Sequence, residues 1–469
     1  MTDPVTNPHW DVVVIGAGPA GLAAATLLAE QKTSVLLVDE QPEPGGQIYR
    51  GIERLQAGSA KAHILGEDYV YGADLVRRFR SSAASYRPET SLWHVTPKLE
   101  LFVSRGGVAE TLQASQLILA TGAMERAVPV AGWTLPGVVT AGALQILLKS
   151  SGLVADQPVI LAGSGPLFYL LATQCLAAGV PIAALLDTAK ARHMFGAIGA
   201  LPRALTGAGP GYLSKGVKLM RALRQSGVPT YRGVEDLQIL GENRVSEVQF
   251  RSGKRKHRLK AGIVALHEGV VPMVNATRML GCEHTWDDRQ HAFHPVTDTW
   301  GATSHAGIRV AGDAAGIVGA RGAEHQGGLA AVGALHDLGR IDSARRDRLA
   351  SAEMRALEAH MTARPLLDRL YPPRAEIKTP GDDIVVCRCE NVTAGAVRQL
   401  ATQGLGPNQM KAALRCGMGP CQGRLCGDTV AQIIADTRGT APRPSDYYNI
   451  RAPLKPVSIG EISTLGERR

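Results

Sequence analysis

The sequence predicts an α/β fold: two dinucleotide-binding (Rossmann-like) domains followed by a small helical domain that carries clustered cysteines. Three observations predict it. The first is a repeat. DVVVIGAGPAGLAAATLLAEQKTSVLLVDE (11–40) and PVILAGSGPLFYLLATQCLAAGVPIAALLD (158–187) both read as apolar strand, glycine turn, small-residue helix and strand. The second is that each copy leads on to a β-meander and a closing strand, ELFVSRGGVAETLQASQLILATGA (100–123) and EVQFRSGKRKHRLKAGIVALHEG (247–269). Together these make a duplicated doubly wound unit. The third is that five of the seven cysteines fall between 387 and 426.

Taken in order, 1–125 and 290–342 form one discontinuous domain. IRVAGDAAG (308–316) supplies it with a further strand ending in a Gly-Asp turn, and a small-residue helix runs through LAAVGALHDLG. Residues 126–289 form the second Rossmann domain. From Ser343 to about Leu370 the pattern is helical and charged, so 343–380 reads as a helical linker ending in TPGDD (379–383). The cysteine domain covers 381–440. The tail, 441–469, holds the Pro-rich RPSDYYNIRAPLKPV (443–457) and is expected to be extended, lying on the body or reaching a neighbouring subunit.

Gly16, Gly18 and Gly21, with Pro19 and Ala20 between them, form G-x-G-x-x-G at a strand-to-helix turn. The first glycine makes the turn, the second lets a pyrophosphate approach the backbone, and the third lets helix and strand touch. The phosphates then face free N–H groups and the positive end of the helix dipole. The next strand ends at Asp39 with Glu40 beside it, 23 residues past Gly16, where a ribose diol is bound. Asp39 is the first choice, because strand alternation lets only one of the two face the ribose. Two distant elements favour FAD over NAD: Thr121 and Gly122 of ATGA, at the end of the first closing strand, and Gly312 and Asp313, whose carboxylate suits a ribityl chain. Gly46 and Gln47 are placed along the pyrophosphate and ribityl side.

The second copy keeps Gly163-Ser164-Gly165 but has Phe168 at the third glycine position, and its strand ends at Asp187. A phenyl ring there should push the helix from the strand or rotate it. Three readings stay open: an NAD(H) site, a bound adenine nucleotide of structural role, and an empty relic.

The cysteines Cys387, Cys389, Cys421 and Cys426 give C-x-C-x31-C-x4-C. Four thiolates from two loops suit a [2Fe–2S] cluster. Zinc is the alternative, though a one-residue gap is unusual for its knuckles, and unligated thiols are the third. Cys416 is the weaker candidate. Cys175 and Cys282 read as packed thiols. No C-x-x-C accompanies either glycine turn, so no dithiol chemistry is available there. His267, Glu268, Arg321, Glu324 and His325 are potential acid/base groups whose ordinary role is structural.

At 469 residues the chain needs more than one core. Its net charge of +9 is concentrated between Asp187 and Lys260, where 15 Lys/Arg stand against 5 Asp/Glu. SGKRKHRLK (252–260) reads first as a solvated hairpin and second as a docking face for an acidic protein. No aromatic platform or nucleic-acid motif accompanies the charge, so no nucleic-acid partner is expected. The uncharged run Gln157–Leu186 is punctuated by Gly163, Gly165, Pro166 and Pro181, which argues against a membrane span. MTDPVTNPHW has no apolar leader, and clustered thiols fit a reducing compartment, so a cytoplasmic location is expected.

The two-unit organisation resembles the glutathione/thioredoxin reductase superfamily. ATGAMERAVPVAGWTLPGVVTAGALQ (120–145), LHEGVVPMVNATRMLGCEHTW (266–286), VAGDAAGIVGA and CRCENVT…RCGMGPCQGRLC narrow the match. They resemble the FAD-containing large (alpha, or A) subunit of opine oxidase, hydrogen cyanide synthase and D-hydroxyproline dehydrogenase complexes. The alpha subunit of sarcosine oxidase is a more distant relative. The terminal domain is similar to the bacterioferritin-associated ferredoxin (BFD) type, which implies Cys387, Cys389, Cys421 and Cys426 as [2Fe–2S] ligands, with the position of Cys416 variable. GARGAEHQGGLAA (319–331) departs from the relatives' pattern. The resemblance implies an oxidoreductase subunit that works on CH–NH or CH–NH2 donors within a complex. Substrate would be oxidised on a partner beta subunit similar to D-amino-acid oxidase, and electrons would pass through this chain's FAD and cluster to a quinone or other carrier. A small third subunit and an FMN at a subunit interface stay open. The rival reading is a self-sufficient NAD(P)H-dependent flavoprotein reductase.

Overall fold

The computed structural model describes residues 9–56 and 58–467. Its first sheet has a parallel core in the order Ser85–Arg87, Val35–Val38, His9–Ile15, Val108–Leu119, with Ile308–Val310 completing it on the far side. Val108–Leu119 is long enough to serve twice. Its second half lies in the parallel core, while its first half pairs antiparallel with Glu100–Arg105, which pairs in turn with Ser91–Val95. Val12, Val13 and Val14 are wholly buried, as a strand covered on both faces requires.

The helix Pro19–Glu30 follows His9–Ile15 directly, with Pro at its first turn where no N–H is needed. Its small residues let another helix come close. A Cβ added to Gly327 of the helix Gly319–Asp337 would lie 2.0 Å from the Ala20 carbonyl oxygen.

The repeat appears as a second parallel sheet in the order Thr230–Arg232, Ile182–Asp187, Val159–Gly163, Ile263–His267, Val138–Thr140. Its meander is Val234–Leu240, Glu247–Ser252 and Arg255–Lys260, so SGKRKHRLK is the hairpin its pattern suggests. Ala123–Glu125 and Val270–Pro272 pair antiparallel where the chain crosses between the units.

The stretch 343–380 contains helices Ser343–Met361, Arg364–Leu370 and Ala375–Lys378. The cysteine-bearing part has a short ladder of Val385–Cys387 with Val392–Thr393, then helices Ala394–Thr402, Pro407–Leu414 and Gly427–Thr437. It does not hang from a loose tether. Val386, Cys387, Cys416 and Cys426 share one continuous apolar core with Val13, Leu117 and Ile308 of the first sheet, bridged by Val274 and Phe293. The Trp133 indole N–H also donates to the Val385 carbonyl at 2.7 Å.

The tail departs from the extended expectation. After a 3-10 turn at Pro444–Asp446 it ends in a helix, Ile459–Glu467. Thr464 Oγ1 accepts from the Ala109 amide (2.8 Å) near the start of Val108–Leu119, which holds this helix against the first sheet. The tail therefore lies on its own chain's body.

No helix among the described residues is long and apolar enough to cross a membrane.

Candidate functional site

Three segments far apart in sequence converge on Gly16–Ala20. Gly16 sits at φ +104, and a Cβ there would lie 2.4 Å from the Ala120 carbonyl oxygen, next to Thr121. A Cβ on Gly21 would reach within 1.8 Å of the Gly16 oxygen, so helix and strand could not meet as they do. Across the crevice, a Cβ on Gly46 would come within 2.8 Å of Gly18 Cα. One on Gly312, at φ +71, would meet the Ala20 methyl at 2.9 Å. The result is a cradle of bare backbone at a helix N-terminus, the surface a pyrophosphate needs.

The side chains of this crevice are partly committed. Asp39 accepts from the Ala17 amide (2.5 Å) and the Gln41 amide (2.7 Å), and burial raises its pKa against the lowering effect of these bonds. Glu40 is exposed and ion-paired with Lys455 of the tail. Gln47 is exposed, accepts from Arg50 (3.0 Å), and offers its backbone oxygen to the buried Lys149 (3.3 Å). Gly122, at φ +70, accepts from the Met273 amide at 3.0 Å. Asp313 accepts through Oδ1 from the Val318 (2.8 Å) and Gly319 (2.9 Å) amides at the start of Gly319–Asp337. Burial raises that carboxyl too.

The second crevice is built alike and filled differently. Phe168 is buried among Val159, Leu161 and Leu185, so its ring occupies the space between helix Pro166–Ala177 and the sheet. Asp187, the carboxylate at the ribose position, accepts from the Tyr169 hydroxyl (2.9 Å) and the Ala189 amide (2.9 Å). Residues from the 343–380 stretch lie at the crevice. Tyr371 meets Tyr169 edge-on with ring centroids 6.1 Å apart, and its Cβ stands 4.0 Å from the Cβ position of Gly165. Arg374 bonds Glu268 at 2.6 Å, both side chains nearly inaccessible, and Thr188 donates to the same carboxylate oxygen at 3.0 Å.

In the cysteine-bearing part the thiols of Cys387, Cys416 and Cys426 lie within 4.8 Å of one another, all buried. Cys389 and Cys421 form a second group, close enough to hydrogen-bond. Five thiols thus gather as three and two, and taking Cys387 with Cys426 and Cys389 with Cys421 leaves two pairs. That donor set suits a [2Fe–2S] cluster, in which each iron takes two protein sulfurs. Cys416 joins the buried group, which the spacing alone did not indicate. Thiols of Cys416 and Cys426 donating to Cys387 lower its pKa, favouring the thiolate form that binds metal.

The tail closes over this loop. The Tyr448 hydroxyl lies 3.1 Å from Cys416 Sγ and 3.6 Å from Cys426 Sγ. The glycines of RCGMGPCQGRLCG make room: Cβ atoms on Gly417 and Gly423 would overlap the Tyr448 ring at 2.7 and 2.6 Å, and one on Gly427 would strike the Tyr447 ring at 2.3 Å. Arg278, half-buried, stacks on Tyr447 at 4.0 Å. The same strand of tail then accepts from Arg424 at Leu454 O (3.0 Å) and reaches Glu40 through Lys455. It spans from the cysteine loop to the edge of the first crevice. Adjacent tyrosines in a Pro-rich tail are the signal for this cover, and one that a search for motifs misses.

The potential acid/base groups are engaged elsewhere. His267 is 2.7 Å from Glu125, Glu324 pairs with Arg78 and accepts from Tyr71, His325 pairs with Glu353, and Arg321 stacks on Tyr71. Cys175 and Cys282 are buried, and burial raises both thiols.

The glycine cradle and the thiol cluster define the class: a two-unit flavin-type oxidoreductase fold joined to an iron–sulfur domain. The family model of pyridine nucleotide-disulphide oxidoreductases matches residues 10–333, and that of the BFD-like [2Fe–2S] binding domain matches 385–436. The A subunit of opine oxidase from Rhizobium meliloti (strain 1021) is 48% identical over 98% of this chain and 99% of its own. The HcnB subunit of hydrogen cyanide synthase from Pseudomonas aeruginosa is 31% identical over 97% of this chain and 98% of its own. The chain belongs to the pyridine nucleotide-disulphide oxidoreductase family and, within it, to the group that holds HcnB and the A subunit of opine oxidase. In fold it is similar to the L-proline dehydrogenase of P. horikoshii (TM-score 0.68, 20% identity, 97% of this chain and 80% of that one).

Proposed function

We propose that this chain is the electron-transferring subunit of a hetero-oligomeric amine or amino-acid dehydrogenase, with an opine, hydroxyproline or glycine-type substrate oxidised on a D-amino-acid-oxidase-like companion. The observation that carries this is the shared core. The thiol cluster is packed onto the first nucleotide unit, and the tail ties its loop to the carboxylates beside the first crevice.

On this reading Gly16, Gly18, Pro19, Ala20 and Gly21 bind the pyrophosphate of FAD, and Asp39 orients the ribose. Gly46, Gln47, Thr121, Gly122, Gly312 and Asp313 follow the rest of the cofactor. Cys387, Cys389, Cys421 and Cys426 hold the [2Fe–2S] cluster. When bound, the flavin exchanges electrons in pairs and the cluster exchanges them singly. The residues' work is to orient, to exclude water and to supply charge. Tyr447 and Tyr448 cover the thiols, and Arg278 braces the Tyr447 ring. The candidate bases His267, Glu268, Glu324 and His325 are each paired with another side chain, which supports leaving C–H cleavage to the companion. The rival NAD(P)H reductase would need the second crevice, where Phe168, Tyr169 and Tyr371 stand in the way.

The test is purification with co-produced partners, followed by flavin and iron analysis and rapid mixing. Amine added to the complex should bleach flavin, and NADH added to the isolated chain should not. Rapid bleaching by NADH, or full-rate amine oxidation by the isolated chain, overturns the proposal.

A further inference from the structure

Residues 191–204 run as a near-continuous helix, Ala191–Ala197, Ile198–Ala200 and Leu201–Ala204, with its amphipathicity reversed. Ala197, Ala200 and Ala204 are buried against Leu366, Leu213 and Leu370. Met194, Phe195, Ile198, Leu201 and Leu205 face outward, with Phe195 77% and Ile198 60% exposed. Met194, Ile198, Leu201 and Leu205 are spaced four, three and four, a single stripe along one face. A helix that only had to cover its own core would turn the large side chains inward and the alanines out. Contiguous exposure of this kind marks a contact surface.

The charge around the stripe narrows the occupant. Between Thr188 and Val234 there are eight Lys/Arg and no Asp or Glu. Lys190 pairs with Glu235 and Lys215 with Asp68, while Arg192, Arg203, Lys218 and Arg221 make no ion pair among the described residues. A second copy of this face would bring cation against cation. The ridge is interrupted by Gly196, Gly199 and Pro202, whereas a helix lying in a bilayer presents a continuous apolar face. An interrupted apolar ridge flanked by cations matches an apolar groove rimmed by carboxylates.

We infer that residues 191–205 form the docking ridge for the companion polypeptide, inserting Phe195 and Ile198 into a groove with an acidic rim. This rests on the function proposed above and names the surface that function requires.

The test uses the full chain co-produced with the companion flavin subunit. Phe195→Asp and Ile198→Asp should each weaken association about a hundredfold, since a central apolar anchor is replaced by a desolvated charge that repels the rim. The measurement is sedimentation velocity, with melting temperature and bound flavin of the isolated variants as the folding control. Arg203→Glu should slow association at low salt and matter little at high salt. An unchanged complex with either Asp variant overturns the ridge and leaves the proposed function standing. A wild-type chain that binds no companion and oxidises amine alone overturns both. Wild-type binding to vesicles of anionic phospholipid, or self-association, that the Asp variants abolish assigns the ridge to lipid or to a second copy and overturns the inference.

Discussion

The two crevices start from nearly the same turn, GAGPAG against GSGPLF, and end in opposite states. In the first, each position that borders the turn is small, and four loops meet as bare backbone. In the second, Phe168 takes the space under the helix, Tyr169 occupies the carboxylate at Asp187, and Tyr371 and Arg374 arrive from 200 residues away. Three side chains differ within the hexapeptide, and with them the turn changes from one bordered by bare backbone to one packed by aromatic rings. The same contacts fix the 343–380 stretch, whose helix Arg364–Leu370 also braces the exposed ridge.

The largest expected effect breaks the first crevice alone. Gly21→Val would drive a branched side chain into the Gly16 carbonyl, so the purified variant should lose its flavin absorbance almost completely. The reciprocal change, Phe168→Ala, empties core volume instead. It should cost about 3–5 kcal/mol of stability with flavin content per folded molecule unchanged, measured by denaturant titration. Flavin loss in Phe168→Ala equal to that in Gly21→Val would mean the crevices are not independent.

Next in size is the buried ion pair that ties the linker helices to the second unit. Glu268→Gln leaves Arg374 with an uncompensated charge and should destabilise by about 3–5 kcal/mol. The Arg374→Met, Glu268→Leu double variant should recover most of that loss, because a buried pair is close to break-even against apolar residues of similar volume. Tyr448→Phe comes after it. It removes a hydroxyl 3.6 Å from Cys426 Sγ and 3.1 Å from Cys416 Sγ. With the iron content held, the cluster's midpoint potential should move negative, since a hydrogen bond to a ligand sulfur favours the reduced form. An unmoved potential confines Tyr448 to packing.

Much of this was legible in the sequence because it is local. Glycine spacing, the strand-end carboxylates and the repeat follow from neighbours within 30 residues, and the sheet orders agree with them. What was not legible is long-range. Nothing around Tyr371 or Arg374 indicates that they lie at another unit's turn, and the spacing of Cys416 gives no sign that it joins Cys387 and Cys426. The tail's helix packs on the strand Val108–Leu119, some 350 residues earlier. The reversed helix at 191–205 was hidden for a different reason: periodicity shows a stripe of large apolar residues but not which way it faces.

The smallest expected effect compares the two ribose-position carboxylates by pH. Burial raises Asp187 above its ordinary value, with the Ala189 amide and the Tyr169 hydroxyl opposing. A carboxyl whose folded pKa is raised holds its proton in the folded state after the unfolded chain has released it. Its contribution to stability is therefore complete below about pH 4 and is lost as pH rises through the folded value. Asp187→Asn keeps an acceptor for Tyr169 and removes the ionisation, so relative to wild type it should gain stability from pH 4 to pH 7, with flavin retained. Asp39 is raised by burial as well, so Asp39→Asn should show the same sign in the unliganded chain. It should also weaken FAD binding roughly tenfold, about 1.4 kcal/mol, through loss of a charged acceptor for the ribose. If both Asn variants keep flavin equally well, the carboxylate at 39 is a turn-stabilising group like its counterpart at 187, and the contrast between the crevices rests on their glycines and aromatic rings alone.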